Sequence, residues 1–221
     1  MERKLGLLLA FVVLLQFGYP LTHYSEWWTA AYLMFYGGMI FFGVQVVRGR
    51  GRACTPTMVV GLLFAGFALW FALAQHSTVA YAGMLLSVGT FMLLLIVELM
   101  GYVFRRSSSG GVSLILAAVC VYLILGGFFA TVFSLIELAA PGSFSDPQNT
   151  EMRFQQFIYY SYVTMATLGY GEILPVAPWA RALASLETVV GTLFLTIVVA
   201  RLVGVWASQA APAERDDASR D

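Results

Sequence analysis

Residues 164–175 read TMATLGYGEILP. This glycine-bearing, polar stretch sits in a chain that is 60% hydrophobic and only 11% charged. It is preceded by a semi-polar run, 152–166, too short to cross a bilayer, and followed by a long apolar run, 179–207. Spanning about 30 Å of hydrocarbon takes about 20 apolar residues in a helix. Five more stretches reach that length: 5–22, 27–47, 57–75, 78–102 and 112–138. None shows the alternation of a barrel strand, so all six read as helices. Their breaks carry turn and cap residues: RGRGRACTP (48–56), QHST (75–78), RRSSSGG (105–111) and APGSFSDPQN (140–149). The first segment reads as a retained helix rather than a cleaved signal, because no small-x-small cleavage pattern follows it.

The net charge is zero, so distribution matters more than the total. Alternate loops hold Arg3 and Lys4, then Arg48, Arg50 and Arg52, then Arg105 and Arg106. The end of the chain adds Arg201, Arg215 and Arg220, leaving only Arg153 and Arg181 on the other side. That asymmetry predicts cytoplasmic termini and an even helix count. The outer side then carries Glu26, Glu137, Asp146, Glu151 and Glu172, an acidic mouth that concentrates cations or simply solvates loops. Cys54 and Cys120 lie far apart in unlike settings, so no disulfide is expected.

With those sides assigned, the chain enters and leaves 152–175 from outside. Non-helical backbone at membrane depth is tolerated only where it is buried in protein or lines water. Gly169 and Gly171 permit backbone conformations that other residues resist, and alternating them with larger residues lets successive carbonyls face one way. A column of inward carbonyl oxygens replaces the hydration shell of a bare cation, which is the chemistry of potassium filters.

TLGYG, preceded by YYSYVTMA and followed by EILP, resembles the pore loop of potassium channels, in particular the bacterial two-helix pore family. The resemblance covers about 112–207. Joined to the six helices read above, of which the first four resemble nothing sharply, it implies an all-α integral membrane protein with six transmembrane helices plus a re-entrant pore helix and filter loop, tetrameric around a central pore. It further implies that Thr167, Leu168, Gly169 and Tyr170 offer carbonyls to K+, with the Thr167 hydroxyl at the inner end, and that Gly171 completes the filter. Tyr159 and Tyr160 fall where the family has an aromatic cuff, with simple interfacial anchoring as the other reading. Thr164 is grouped with the filter supports. Three positions depart from the family: Leu168 for the commoner Val, Glu172 for the usual Asp, and Val163 where some bacterial members carry a buried Glu.

Gly191 lies where the family has its hinge glycine; close packing against the pore helix explains a glycine equally well. Glu187 is one turn before it. An ionisable group inside a membrane helix is costly and usually partnered. Glu187 is therefore expected to hydrogen-bond behind the filter, the alternative being water at the outer mouth or Arg181. Arg201, about 33 Å along the helix from Trp179, reads as an anchor at the cytoplasmic interface, and Trp179 and Trp206 fit the two interfacial belts.

The reading divides the chain into a four-helix region, 1–106, a pore region, 107–207, and a short charged tail, 208–221. The fourth helix lacks the repeated basic residues of a voltage sensor and carries only Glu98, read as pairing with Arg105 or Arg106 or as coupling bundle to pore. His23 and His76 read as inert loop residues. The expected function is a potassium-selective channel without steep voltage gating, not an enzyme, in a bacterial plasma membrane. Its expected partners are lipid and three further copies of itself. No cofactor beyond permeant potassium ions, no nucleic acid and no fused ligand-binding domain is expected. The alternatives are a weakly selective monovalent cation channel, a transporter and, last, a membrane enzyme. The transporter would show repeated halves, and no second LGYG is found; the enzyme would need clustered polar residues in the bilayer.

Overall fold

A computed structural model describes residues 2–18, 26–48, 55–73, 77–105, 111–147 and 152–217. Seven helices follow one another among these residues: α1 (Glu2–Phe17), α2 (Glu26–Arg48), α3 (Thr55–Leu73), α4 (Thr78–Arg105), α5 (Gly111–Ala139), α6 (Phe154–Met165) and α7 (Pro178–Asp217). Cys54, His23, His76, Arg50, Arg52, Arg106, Glu151 and Arg220 lie outside the described residues, as do the side chains of Glu26, Arg105, Trp206 and Arg215.

Among the described residues, three helical segments are long and apolar enough to cross a membrane: Thr78–Phe104, Val112–Ala139 and Pro178–Val205. Three of the six expected spans are therefore matched at full length among these residues; the side chains of 26–34 in α2 lie outside them. Helix α1 has 16 residues, about 24 Å at the usual rise, which falls short of the hydrocarbon thickness. The described apolar parts of α2 and α3, Phe35–Arg48 and Thr55–Phe71, are also short. Helix α7 departs in the other direction. It runs unbroken to Asp217, through much of the stretch expected to be a tail. Alanines at 207, 210, 211 and 213 favour that continuation.

Helix α5 is the centre of the packing. Helix α4 runs antiparallel to it: Tyr81 meets Ser134 hydroxyl to hydroxyl at 3.1 Å, and Gly89, further along α4, faces Thr131, earlier in α5. Helix α1 runs parallel to α5. The Ser113 hydroxyl donates to Glu2 at 3.1 Å, and the Cys120 thiol, buried and free, reaches the Leu5 carbonyl at 3.8 Å. One apolar cluster joins Leu8 and Val12 of α1, Phe91 and Leu95 of α4, Ile124 of α5 and Val198 of α7. It crosses the boundary drawn near residue 106, because α5 and α7 complete the core that α1 and α4 begin. A second cluster holds α6 against the outer halves of α5 and α7 through Phe133, Phe157, Ile158, Met165 and Ala184.

One small sheet was not anticipated. Strand β1 (Phe144–Ser145) pairs antiparallel with β2 (Leu174–Pro175), Phe144 opposite Pro175 and Ser145 opposite Leu174. Two residues a side are too few for an alternating pattern to register in a sequence. The Ser143 carbonyl extends the contact, accepting from the amides of Val176 at 2.8 Å and Ala177 at 3.1 Å.

Candidate functional site

Helix α6 begins where the Gln156 side chain turns back on the chain. Its Oε1 accepts from the Arg153 amide at 2.6 Å, satisfying a donor left free at the helix start, while its Nε2 donates to Asp146 at 2.9 Å. The helix then buries Phe157, Ile158, Tyr160, Ser161, Val163 and Met165. Its other end closes in a paired cap. The Leu168 amide donates to the Val163 carbonyl at 2.9 Å and the Thr167 amide to the Thr164 carbonyl at 3.0 Å, the two bonds of a Schellman motif. The left-handed residue that this motif needs is usually glycine; here it is Thr167, at φ 58°. A β-branched residue there is costly and marks a position held by its surroundings.

Beyond the cap, positive φ recurs at every second residue: Thr167 at 58°, Gly169 at 57° and Gly171 at 90°, with Leu168 and Tyr170 between them on the ordinary side. Carbonyls alternate along a regular strand. Inverting φ at alternate residues turns successive carbonyls toward one side instead. The segment 166–171 is exposed throughout, although its neighbours Met165 and Ile173 are buried. A run of carbonyl oxygens on a fixed backbone can coordinate a hard cation without carrying net charge.

The supports divide into three groups. At the outer end, the Tyr159 hydroxyl donates to the Glu172 carboxylate, tying α6 to the residue just after the glycines. Tyr160 is buried elsewhere, with its ring edge-on to Phe133 at 5.2 Å and Phe144 at 5.4 Å. It also hydrogen-bonds the Thr164 side chain. The two tyrosines therefore do different things: one holds a carboxylate and the other fills an aromatic cluster in its own chain. A cavity of about 190 Å³ lies behind the glycines, lined by Tyr159, Val163, Thr164, Glu172 and Pro175 among others.

On the inner side, Glu187 is fully buried and bonds to the Ser161 hydroxyl, which also lies 2.7 Å from the Gly126 carbonyl. Its second oxygen meets no hydrogen-bond partner among the described residues. Arg181 is turned away, donating to the Pro175 carbonyl at 3.0 Å. Thr188, one residue on, points at the Thr164 carbonyl from 3.5 Å. Gly191 sits directly against α6: a Cβ there would lie 2.5 Å from the Met165 Cγ and 3.1 Å from the Met165 carbonyl. Close approach is therefore sufficient reason for a glycine at this point of a continuous helix.

At the periphery, Glu137 proves to be a loop clamp. One oxygen accepts from the Gly142 amide at 2.7 Å and the other from the Phe144 amide at 3.1 Å. With Asp146 also engaged by Gln156, two of the outer carboxylates organise the loop before α6. Trp179 is 78% exposed. Arg201 does more than anchor α7. It donates to the Val103 carbonyl at the end of α4, and its guanidinium stands 5.4 Å from the Phe104 ring centre. Glu98 is half-buried and has an interaction partner. Ser161 and Gly126 escaped the sequence reading, in which Glu137 figures only as a mouth or loop carboxylate, not as a clamp. Ser161 alone gave a signal, as a small hydroxyl among tyrosines.

A family profile described as "Ion channel" matches residues 112–207, which contain α5, α6, the glycine segment and most of α7. Among curated proteins, the chain is similar to the "Inward rectifier potassium channel Kirbac3.1" of Paramagnetospirillum magnetotacticum. The two are 36% identical over 81 residues, which is 35% of this chain and 24% of that protein. The chain thus matches about a quarter of the relative's length. No solved structure matches significantly. A short helix capped into a left-handed turn, a backbone of alternating φ and a long apolar helix on either side coincide with the matched residues. Over 112–207 this chain thus resembles the ion channel family, and the curated relative it is similar to is a potassium channel.

Proposed function

We propose that the chain is one subunit of a homotetrameric, potassium-selective channel that conducts through the carbonyls of Thr167, Leu168, Gly169 and Tyr170. The observation that carries this reading is the alternating φ of Thr167, Gly169 and Gly171 in a segment left exposed between buried neighbours. One such segment cannot surround an ion, but four around an axis can. The segment then lines water at membrane depth, as irregular backbone there must. The similar protein of Paramagnetospirillum magnetotacticum is named a potassium channel, which agrees with that choice of ion.

In this reading α6 aims its C-terminal end, with its partial negative charge, at the ion's path. Tyr159 and Glu172 brace the outer end of the filter, while Tyr160, Thr164, Val163, Ser161 and Glu187 set its back. Gly191 admits the close contact of inner helix and pore helix, and it is also the hinge at which α7 bends when the cytoplasmic gate opens. The parallel course of α1 and α5 supports four crossings before α5, with lipid around the bundle and both ends cytoplasmic. Helix α4 carries no basic residue between Thr78 and Phe104, so steep voltage gating is not expected.

The test is flux in liposomes reconstituted with the whole chain, with K+ or Na+ as the permeant ion and with a potential applied. Potassium should pass at least tenfold faster than sodium, with little dependence on potential. Equal rates would leave the weakly selective cation channel. Absence of flux for both ions would overturn the channel reading.

A further inference from the structure

Helix α1 reaches the back of the pore helix. Its contacts with α5 fall on small residues seven apart: Ser113 beside Glu2, Cys120 beside Leu5, and Gly127 beside Gln16. Small residues at this spacing let two helices lie close in a membrane. At Gly127 the approach is tight, since a Cβ there would lie 2.2 Å from the Gln16 amide nitrogen. Gly126 is pressed from a different direction by α6. A Cβ there would lie 2.6 Å from the Tyr162 ring. The paired glycines form a notch held between α1 and the pore helix.

The last residues of α1 complete the contact. The Phe17 ring lies 5.1 Å from the Tyr162 ring, and the Tyr162 hydroxyl donates to the Leu123 carbonyl at 2.7 Å. Gln16 is only 1% exposed, yet neither end of its amide finds a partner among the described residues. A buried amide left so is expensive, and a methionine of like size would fill the site more cheaply. Tyr162 is itself part of the cap that launches the filter. Its carbonyl accepts the Ala166 amide at 2.9 Å, and the adjacent Val163 carbonyl accepts Leu168. Displacing Tyr162 displaces both acceptors.

We infer that α1 is a positioning element of the filter: Gln16 and Phe17 hold the pore helix through Tyr162 and the Gly126–Gly127 notch, so that the first helix of the chain sets the filter's conducting geometry. The inference rests on the channel reading above. It assigns to α1 an influence on ion selection, although α1 lies outside the residues matched by the family profile.

The experiment compares Phe17→Ala, Phe17→Tyr, Gln16→Met and Phe11→Ala with the unaltered chain in liposome flux and single-channel recording. Phe17 is 53% exposed, so its truncation perturbs the contact without opening the core. Phe11 is the control. It also lies on α1, but stacks on Phe42 at 5.4 Å, away from the pore helix. Phe17→Ala should raise sodium permeability relative to potassium severalfold and shorten open times severalfold. Phe17→Tyr should restore both, and Phe11→Ala should leave the ratio unchanged. Gln16→Met should melt no lower than the parent and still shift the permeability ratio, separating positioning from simple stability. Parent-like permeability and open times in both Phe17→Ala and Gln16→Met would overturn the inference, as would an equal effect of Phe11→Ala. A parent chain that passes no potassium would instead overturn the channel reading on which the inference stands.

Discussion

At the scale of single residues, the most consequential group is Ser161. Its one hydroxyl proton serves two oxygens, the Gly126 carbonyl and the Glu187 carboxylate, in a site with no exposure. Removing the hydroxyl leaves both oxygens without that partner, and an unmet buried polar group costs about 1–3 kcal/mol. Ser161→Ala should therefore lower stability by about that amount in detergent, measured by thermal melting. Adding Glu187→Leu should recover part of the loss, since the double variant no longer buries the carboxylate. A double variant that loses the full sum of the two single losses would show the groups to be uncoupled. This node also shows what a sequence discloses. Glu187 drew attention because a carboxylate is conspicuous in an apolar helix. Ser161 and Gly126, which receive it, are ordinary residues whose importance comes only from being brought together across three helices.

At the scale of elements, the backbone of the glycine segment 167–171 was the most legible part of the chain. The glycines at 169 and 171 are demanded by local conformation, and local demands leave a mark in the residue types themselves. The left-handed Thr167 left none, because nothing about a threonine announces positive φ. The same contrast holds for α7. Its apolar length gave its spanning part, but its extension to Asp217 had to overcome a proline at 212 and a charged stretch that read as tail. Arg201 belongs at this scale, since it joins two elements. It meets the Val103 carbonyl at the C-terminal end of α4, where positive charge is favoured, and also faces Phe104. Arg201→Ala should cost about 1–2 kcal/mol in thermal melting, from the charged hydrogen bond and the ring contact together. Arg201→Lys should recover only part, because an ammonium lacks the planar fork. Equal stability of all three proteins would show that the α4–α7 contact contributes nothing.

At the scale of the whole molecule, the distribution of apolar surface is uneven. Helix α5 is largely buried within the chain, whereas α7 presents Leu186, Val189, Leu193, Ile197 and Val203 outward. Lipid or further copies of the chain must cover that surface, and the proposed tetramer gives it a place around the pore axis. The expected protein mass is then about four times the 24.2 kDa of one chain. Native mass spectrometry from detergent should find it, and a purely monomeric population would contradict the assembly. The packing across residue 106 shows what loop composition leaves out. A loop reports where helices end, whereas Ile124 and Val198 packing with Leu8 and Phe91 depends on how the helices are arranged afterwards.

The clasp between Phe144–Ser145 and Leu174–Pro175 has a mechanical meaning when taken with the Schellman cap. The glycine segment resembles a short bridge with both abutments built in the same protomer: the cap at Val163–Leu168 on one bank, and the stitched loop, steadied by Glu137, on the other. Slack is confined to the few residues between. A rearrangement that moves this segment must bend that short deck or shift a bank, and each bank is bonded to a different part of the chain.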